Sequence, residues 1–363
     1  MPADELITHG QHVMTVCNAC RYCEQYCPVF PAMERRLTFA TADLAYLANL
    51  CHNCGECLYA CQYAPPHEFG IDVPRTLAKI RGRSYEDYCW PPFLAAAFRR
   101  HNLLTGIGLA AGLTVLMFAA TLLVNGSLPQ PVGAGDFYAV IPHDVMIALF
   151  GSVFLFAVAA IGIAVSRFWR DIDGAAGPAP DGNALVHAIR DVLTLRHLHA
   201  SGEDCTSAEE TRAPWRRWFH HCMFYGFLLC TASTSAAAIY HTVFDWQAPY
   251  AYTSLPVVLG TAGGAGMLMG SAGLWVERRR RDRLLGDPAL EGLDESFIAL
   301  LFLTALTGLL LLALRERAIM SALLIVHLGV VLALFLTLPY GKFVHGIYRT
   351  AALVKYAKEG LSD

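Results

Sequence analysis

Six apolar runs almost free of charge limit what this chain can fold into more than any other feature. They are Leu103–Val124, Val145–Val165, Cys222–Tyr240, Leu255–Val276, Phe297–Leu314 and Ala318–Tyr340. A bilayer core takes about 20 helical residues, so each run is long enough, or nearly so, to cross it. Helices satisfy their own backbone amides in lipid, which makes a helical bundle the natural reading. The alternative is a soluble protein hiding all six. With 55% hydrophobic and 16% charged residues, the chain lacks the polar surface for that. Its net charge of −3 also offers no basic face for nucleic acid, so no nucleic-acid partner is expected.

The charges between the runs orient the bundle. Segments on the side of the N-terminal region carry 2, 7, 5 and 4 Lys/Arg: directly before the first run (Arg99 and Arg100), in 166–217, in 277–295 and in the tail. The opposite loops carry only Arg315 and Arg317. The positive-inside rule then predicts that both termini face the cytoplasm. Residues 1–16, with acidic side chains early and no apolar core, do not read as a secretory signal. The fourth run is rich in glycine, including Gly260-x3-Gly264 and Gly266-x3-Gly270. No Lys-Ser/Thr pair follows them, so close helix packing in lipid is expected, not a phosphate loop.

Two cysteine runs set the chemistry of the first hundred residues, which hold nine of the twelve cysteines. One is Cys17-x2-Cys20-x2-Cys23-x3-Cys27-Pro28; the other is Cys51-x2-Cys54-x2-Cys57-x3-Cys61. This is the spacing of two-cluster ferredoxins. Three close thiolates hold three irons of one cube, and the fourth cysteine of each run ligates the other cube. Cys17, Cys20, Cys23 and Cys61 are therefore expected on one [4Fe–4S] cluster, and Cys51, Cys54, Cys57 and Cys27 on the second. A lone Cys-x2-Cys pair would favour zinc, which needs only four ligands, but the doubled pattern favours clusters.

The second run departs in one place. Gln62 follows Cys61 and the prolines come only at Pro65 and Pro66, which displaces the usual shield without removing a ligand. The spacer 28–50 has room for a helix around Thr41–Leu50, which suits an α-helical ferredoxin. The expected architecture is mainly α. An N-terminal α-helical ferredoxin-like two-cluster domain (1–98) precedes a six-helix transmembrane bundle (99–350) and a tail (351–363). Cys89, Cys205, Cys222 and Cys230 lack partner spacing and read as ordinary core or lipid-facing thiols.

Histidine inside a span is costly and usually functional. His327 lies in the middle of the sixth run, and His345 follows 18 residues later, about 27 Å along a helix. The third run has His220 and His221 at its start and His241 near its far end. In the expected topology these two runs are antiparallel. His221 or His220 can then face His345 at one membrane side, and His241 can face His327 at the other. Such pairs suit bis-histidine ligation of b-type haem, one or two in number. His9, His12, His52, His67, His101, His143, His187, His197 and His199 lie outside the runs and read as surface or structural.

Twin ferredoxin-type runs ahead of six apolar helices resemble the tricarballylate utilization protein B family, also called citrate utilization protein B. Arg216-Arg217-Trp218-Phe219-His220-His221, Tyr225–Cys230, Ala248-Pro249-Tyr250 and the glycine-rich fourth run carry the resemblance. The chain is also similar to the C-terminal part of the fused flavin–iron–sulfur–haem protein of cobalamin ring contraction. The stretch His327–His345 is similar to the haem-bearing helix of the respiratory nitrate reductase gamma subunit.

The resemblance implies a bacterial inner-membrane protein. It would reoxidise a separate FAD-dependent dehydrogenase, which converts tricarballylate to cis-aconitate. Electrons would pass through the clusters and haem b to membrane quinone. Lys342 and Tyr340, or Asp245 and Tyr250, are candidates for the quinone site. Two rivals stand beside this. A catalytic reductase of heterodisulfide type would need paired Cys-Cys-Gly motifs, which are absent. A membrane redox sensor or anchor would need an output module, and the segment after Tyr348 is short for one.

Overall fold

The computed structural model describes residues 3–100, 102–128, 137–174, 180–198 and 215–361. His101, His199 and Cys205 lie outside the described residues. Among those described the protein is helical, without a strand. Six helices build the cysteine-bearing domain: α1 (Ala3–Cys20), α2 (Val29–Glu34), α3 (Thr41–Leu50), α4 (Glu56–Tyr59), α5 (Val73–Asp87) and α6 (Pro92–Arg100). The helix expected over Thr41–Leu50 is its centre: all seven residues from Leu44 to Leu50 are buried. They pack against α1 and α5 through Val13, Met14, Leu77 and Ile80. Each such buried aliphatic side chain contributes roughly 1.5–3 kcal/mol. Local signals set the helix starts. Asp43 accepts from the Ala40 amide at 3.1 Å ahead of α3, and Asp72 accepts from the Arg75 amide at 3.1 Å ahead of α5.

The spans are α7 (Asn102–Asn125), α8 (His143–Asp173), α10 (Trp215–Phe244), α11 (Leu255–Arg280), α12 (Glu291–Ala313) and α13 (Met320–Thr337), with α9 (Gly182–Thr194) between α8 and α10. All six are long and apolar enough to cross a membrane. This is a multi-pass membrane protein. Glycine lets α10 and α11 touch backbone to backbone. A Cβ on Gly226 would stand 2.7 Å from the Met267 amide nitrogen, and one on Gly263 would stand 2.8 Å from both the Cys230 amide nitrogen and the Gly226 carbonyl oxygen. That contact fixes α10, which carries the histidines of the third run.

The sixth run differs from its expected form. The span ends at Thr337, the chain passes Pro339 and Gly341, and a separate helix, α14 (Val344–Lys358), begins. Proline lacks the amide that would continue the ladder. His345 therefore sits on the first turn of α14 and not on a continuation of the helix that carries His327. α14 folds back against α3, α8 and α9. Tyr348 stacks on Tyr85 with ring centres 5.5 Å apart and meets Phe168 at 5.0 Å. Arg36 joins Asp43 and Glu359, each at 2.7 Å, and Lys355 donates to the Ile172 carbonyl. The cysteine domain is thus locked to one end of the bundle, the proximal end.

Candidate electron-transfer site

The first cysteine run begins on the last turn of α1, with Cys17 and Cys20 one turn apart. Arg21 then takes a left-handed φ of +55° and swings the chain toward Cys23. Cys17, Cys20, Cys23 and Cys61 line one cavity of about 240 Å³, and Cys57 lines it with them. Cys20 is exposed and the other three are half-buried. Burial, helped by the neighbouring thiols, pushes Cys17 and Cys23 up to about 12. We call this the outer cradle.

Cys51 and Cys54 are buried. Cys27 faces both, and Cys57 faces Cys54, Cys27 and Cys51. Here the chain runs extended out of α3 and turns through Asn53 (φ +58°) and Gly55 (φ +94°). Burial is again the main cause that raises Cys54 to about 12. This is the inner cradle. The fourth cysteine of each run crosses to the other run's group. Among the described residues, no three His, Cys, Asp or Glu side chains converge closely enough to hold a single metal ion. A tetrahedral zinc draws each sulfur to about 2.3 Å, whereas a cube spreads its thiolates over four irons. Eight free thiols in two groups of four match the ligand count of two such cubes.

Four arginines from distant parts of the chain grip the inner cradle's backbone. Arg81 and Arg349 donate to the Cys51 carbonyl at 2.7 and 2.8 Å. Arg216 donates to the His52 carbonyl at 2.7 Å, and Arg281 to the Asn53 carbonyl at 3.2 Å. Buried cations need an anionic counterpart, and a thiolate-bound iron–sulfur cube supplies one. No spacing signal marks these four arginines in the sequence, since each comes from a different element.

Behind the clamp stand His220 and His345, with ring centres 6.2 Å apart. Two imidazoles on opposite sides of one metal hold their centres about 6 Å apart, from metal–nitrogen bonds of about 2 Å plus each ring's radius. His345 Nδ1 lies 2.5 Å from the Lys342 carbonyl, which leaves Nε2 for a ligand. Burial holds the His345 imidazole well below its usual range and therefore neutral, as a metal ligand must be. His220 Nδ1 is buried without a partner. His221 points elsewhere, stacked on Tyr225 at 5.9 Å.

The distal end differs from the expected pairing. His241 packs against His143 with ring centres 3.7 Å apart, and both meet Tyr138. α8 begins at His143, earlier than its apolar run, which is why the sequence hid this partner. His327 instead bonds Thr307 Oγ1 at 2.9 Å and lies against Gly308. The other polar candidates are engaged as well. Lys342 pairs with Asp294 at 2.8 Å, and the Tyr340 hydroxyl donates to the Trp90 carbonyl at 3.2 Å. The Tyr250 hydroxyl donates to the Ala237 and Trp246 carbonyls, and Asp245 sits in a left-handed turn after α10. Cys89 is buried, while Cys222 and Cys230 are half-buried and unpaired by disulfide.

Two family models match the chain. A family model described as the citrate utilization protein B Fer4-like domain matches residues 10–87, and one described as citrate utilization protein B matches residues 98–362. The chain belongs to the citrate utilization protein B family. A member from Escherichia coli, described as Citrate utilization protein B, is 49% identical over 350 residues, covering 96% of this chain and 91% of its own length. No solved structure matches. The Fer4-like match falls on the region that holds both cradles, so the family's iron–sulfur domain and the eight clustered thiols coincide.

Proposed function

We propose that this chain is a membrane electron-transfer protein that serves the use of citrate or tricarballylate. In this reading Cys17, Cys20, Cys23 and Cys61 hold one [4Fe–4S] cluster, and Cys27, Cys51, Cys54 and Cys57 hold the other. His220 and His345 would hold a b-type haem, one histidine from α10 and one from α14. The clusters and haem supply one-electron steps between a two-electron flavin donor and quinone. The donor is a docked FAD-dependent dehydrogenase of the tricarballylate dehydrogenase type, and the acceptor is membrane quinone. The domains divide at about residue 98, the expected boundary at 350 falls inside the continuous helix α14, and the cysteine domain lies on the cytoplasmic side of a bacterial inner membrane. The arginines of 277–295 at the proximal end support that orientation. His241 and His327 face different residues, so no second haem is proposed.

One observation carries the reading. Arg216 and Arg349, which bond the Cys51–His52 backbone, lie one helical turn from His220 and His345 on the same two helices. Cys57 lining the outer cavity and the two arginines on the Cys51–His52 backbone link the outer cradle, the inner cradle and the histidine pair in that order. The first test is iron, acid-labile sulfide and pyridine-haemochrome content of anaerobically purified protein. About eight non-haem irons with one b haem are expected, and zinc without sulfide would refute the reading. Turnover of reduced flavoprotein with a quinone analogue tests the carrier role itself.

A further inference from the structure

The two cradles hold the same number of thiols but sit in opposite electrostatic surroundings. Among the described residues, no lysine or arginine lines the outer cavity. Arg21, inside the first run, is 57% exposed, spends its Nε on the Asn18 carbonyl and stands 4.0 Å from Glu34. The inner cradle has Arg81, Arg216, Arg281 and Arg349 on three consecutive residues. Burial and mutual repulsion lower Arg281 and Arg349 to about 10, which still leaves both charged at neutral pH. Asp294 is a carboxylate that acts on Arg281, and Lys342 and Arg278 compete for it. Asp294 is shared between Lys342 and Arg278, each at 2.8 Å, and Glu56 faces Cys23 of one cradle and Cys54 of the other.

A cluster gains one negative charge on reduction, and its potential follows local charge and hydrogen bonding. We propose that Arg81, Arg216, Arg281 and Arg349 make the inner cluster the higher-potential one of the two, so that an electron received at the outer cradle settles at the inner cradle beside the bundle. This rests on the cluster reading above. The step moves one electron: the outer cluster is oxidised, the inner is reduced, and no bond or proton moves. The four arginines are positioning residues. They hold the Cys51–Asn53 loop and favour the reduced state there, and they touch no substrate.

The test is a redox titration of both clusters by electron paramagnetic resonance on the full chain in detergent. The outer signal is recognised by its relaxation with a water-soluble paramagnet. In the unaltered protein the inner signal should have the higher potential. Arg349→Gln and Arg216→Gln should each weaken outer-to-inner transfer about tenfold, a fall of about 59 mV in the inner potential, with the outer unmoved. Arg349→Lys and Arg216→Lys should restore most of it, which a purely packing role would not do. If a Gln variant loses its inner cluster, Arg281→Gln, at the longest of the four bonds, is titrated instead and should shift the same way. A higher outer potential in the unaltered protein, equal shifts in both clusters, or no shift with iron retained overturns the proposal. Fewer than eight irons in the unaltered protein would fail the cluster reading instead.

Discussion

The outer and inner cradles descend from nearly the same spacing of cysteines and fold into opposite settings. The outer one grows from the last turn of α1, opens to solvent at Cys20 and carries the exposed Tyr22 at its edge. The inner one follows the most buried helix of the domain and is gripped by side chains from α5, α10, α14 and the end of α11. The difference shows that a thiol pattern specifies what is held, while the elements around it decide where an electron enters and leaves. An exposed cradle is reachable by a soluble partner. A cradle packed against the bundle and bordering the outer cavity through Cys57 would exchange electrons with the outer cradle and the bundle.

Breaking each cradle separately should expose the difference most strongly. Cys20→Ser and Cys54→Ser should each remove about half of roughly eight irons. Their effects on stability should diverge. Losing the inner cluster removes an anion beside the buried Arg81 and the half-buried Arg281 and Arg349, and breaking a buried ion pair costs about 3–5 kcal/mol. Losing the outer cluster strands no such charge and should cost under about 1 kcal/mol. Iron analysis with thermal unfolding in detergent measures both. Equal destabilisation would mean that the clamp does not depend on the cluster it surrounds.

The next test asks whether the inner cradle faces the membrane carrier. His345→Ala should abolish the b-haem absorbance and leave the iron–sulfur content whole, whereas His143→Ala and His327→Ala should leave that haem in place. Pyridine haemochrome and sulfide assays read the outcome. Haem retained in His345→Ala and lost in His327→Ala would move the carrier toward mid-bundle and away from the inner cradle.

What the sequence made legible follows the range of the interaction behind it. The eight thiols, the α3 helix and the six spans rest on local spacing or on apolar length, and both can be read from one strand of text. The glycine seam was also visible, because small residues at i and i+4 describe a helix face. The arginine clamp was not legible, since residues 81, 216, 281 and 349 meet only after the bundle and the cysteine domain dock. The choice between His220 and His221 needed the rotation of α10. His143 was hidden because α8 starts beyond the apolar run that announced it, and the break after Thr337 was hidden because the apolar run continues past the point where Pro339 ends the helix.

A smaller effect separates the two arginine environments. Arg216→Ala removes a charged hydrogen bond of 2.7 Å to a buried carbonyl and should cost about 1.5–3 kcal/mol. Arg21→Ala removes an exposed contact at 4.0 Å and should stay within about 0.5 kcal/mol. Thermal midpoints of the two variants, both with full iron, give the comparison. A drop in Arg21→Ala equal to that in Arg216→Ala would make the outer cradle as tightly built as the inner.

The smallest expected effect lies at the outer rim, where the flavoprotein would dock. Tyr22 is 67% exposed, borders the outer cavity and packs edge-on against Tyr26 with ring centres 6.3 Å apart. An exposed aromatic beside an exposed cluster ligand is suited to interface contact, where truncating a hot-spot residue costs about 2 kcal/mol and most others less than 1. Tyr22→Ala should therefore raise the KM for reduced flavoprotein by about fivefold, the equivalent of about 1 kcal/mol. The kcat and iron content should not change, because Tyr22 is not a ligand and the inner cradle is untouched. Steady-state quinone reduction at varied flavoprotein concentration measures this. An unchanged KM would move the docking face off the outer cradle, and a lower kcat with constant KM would place Tyr22 in electron transfer instead of recognition.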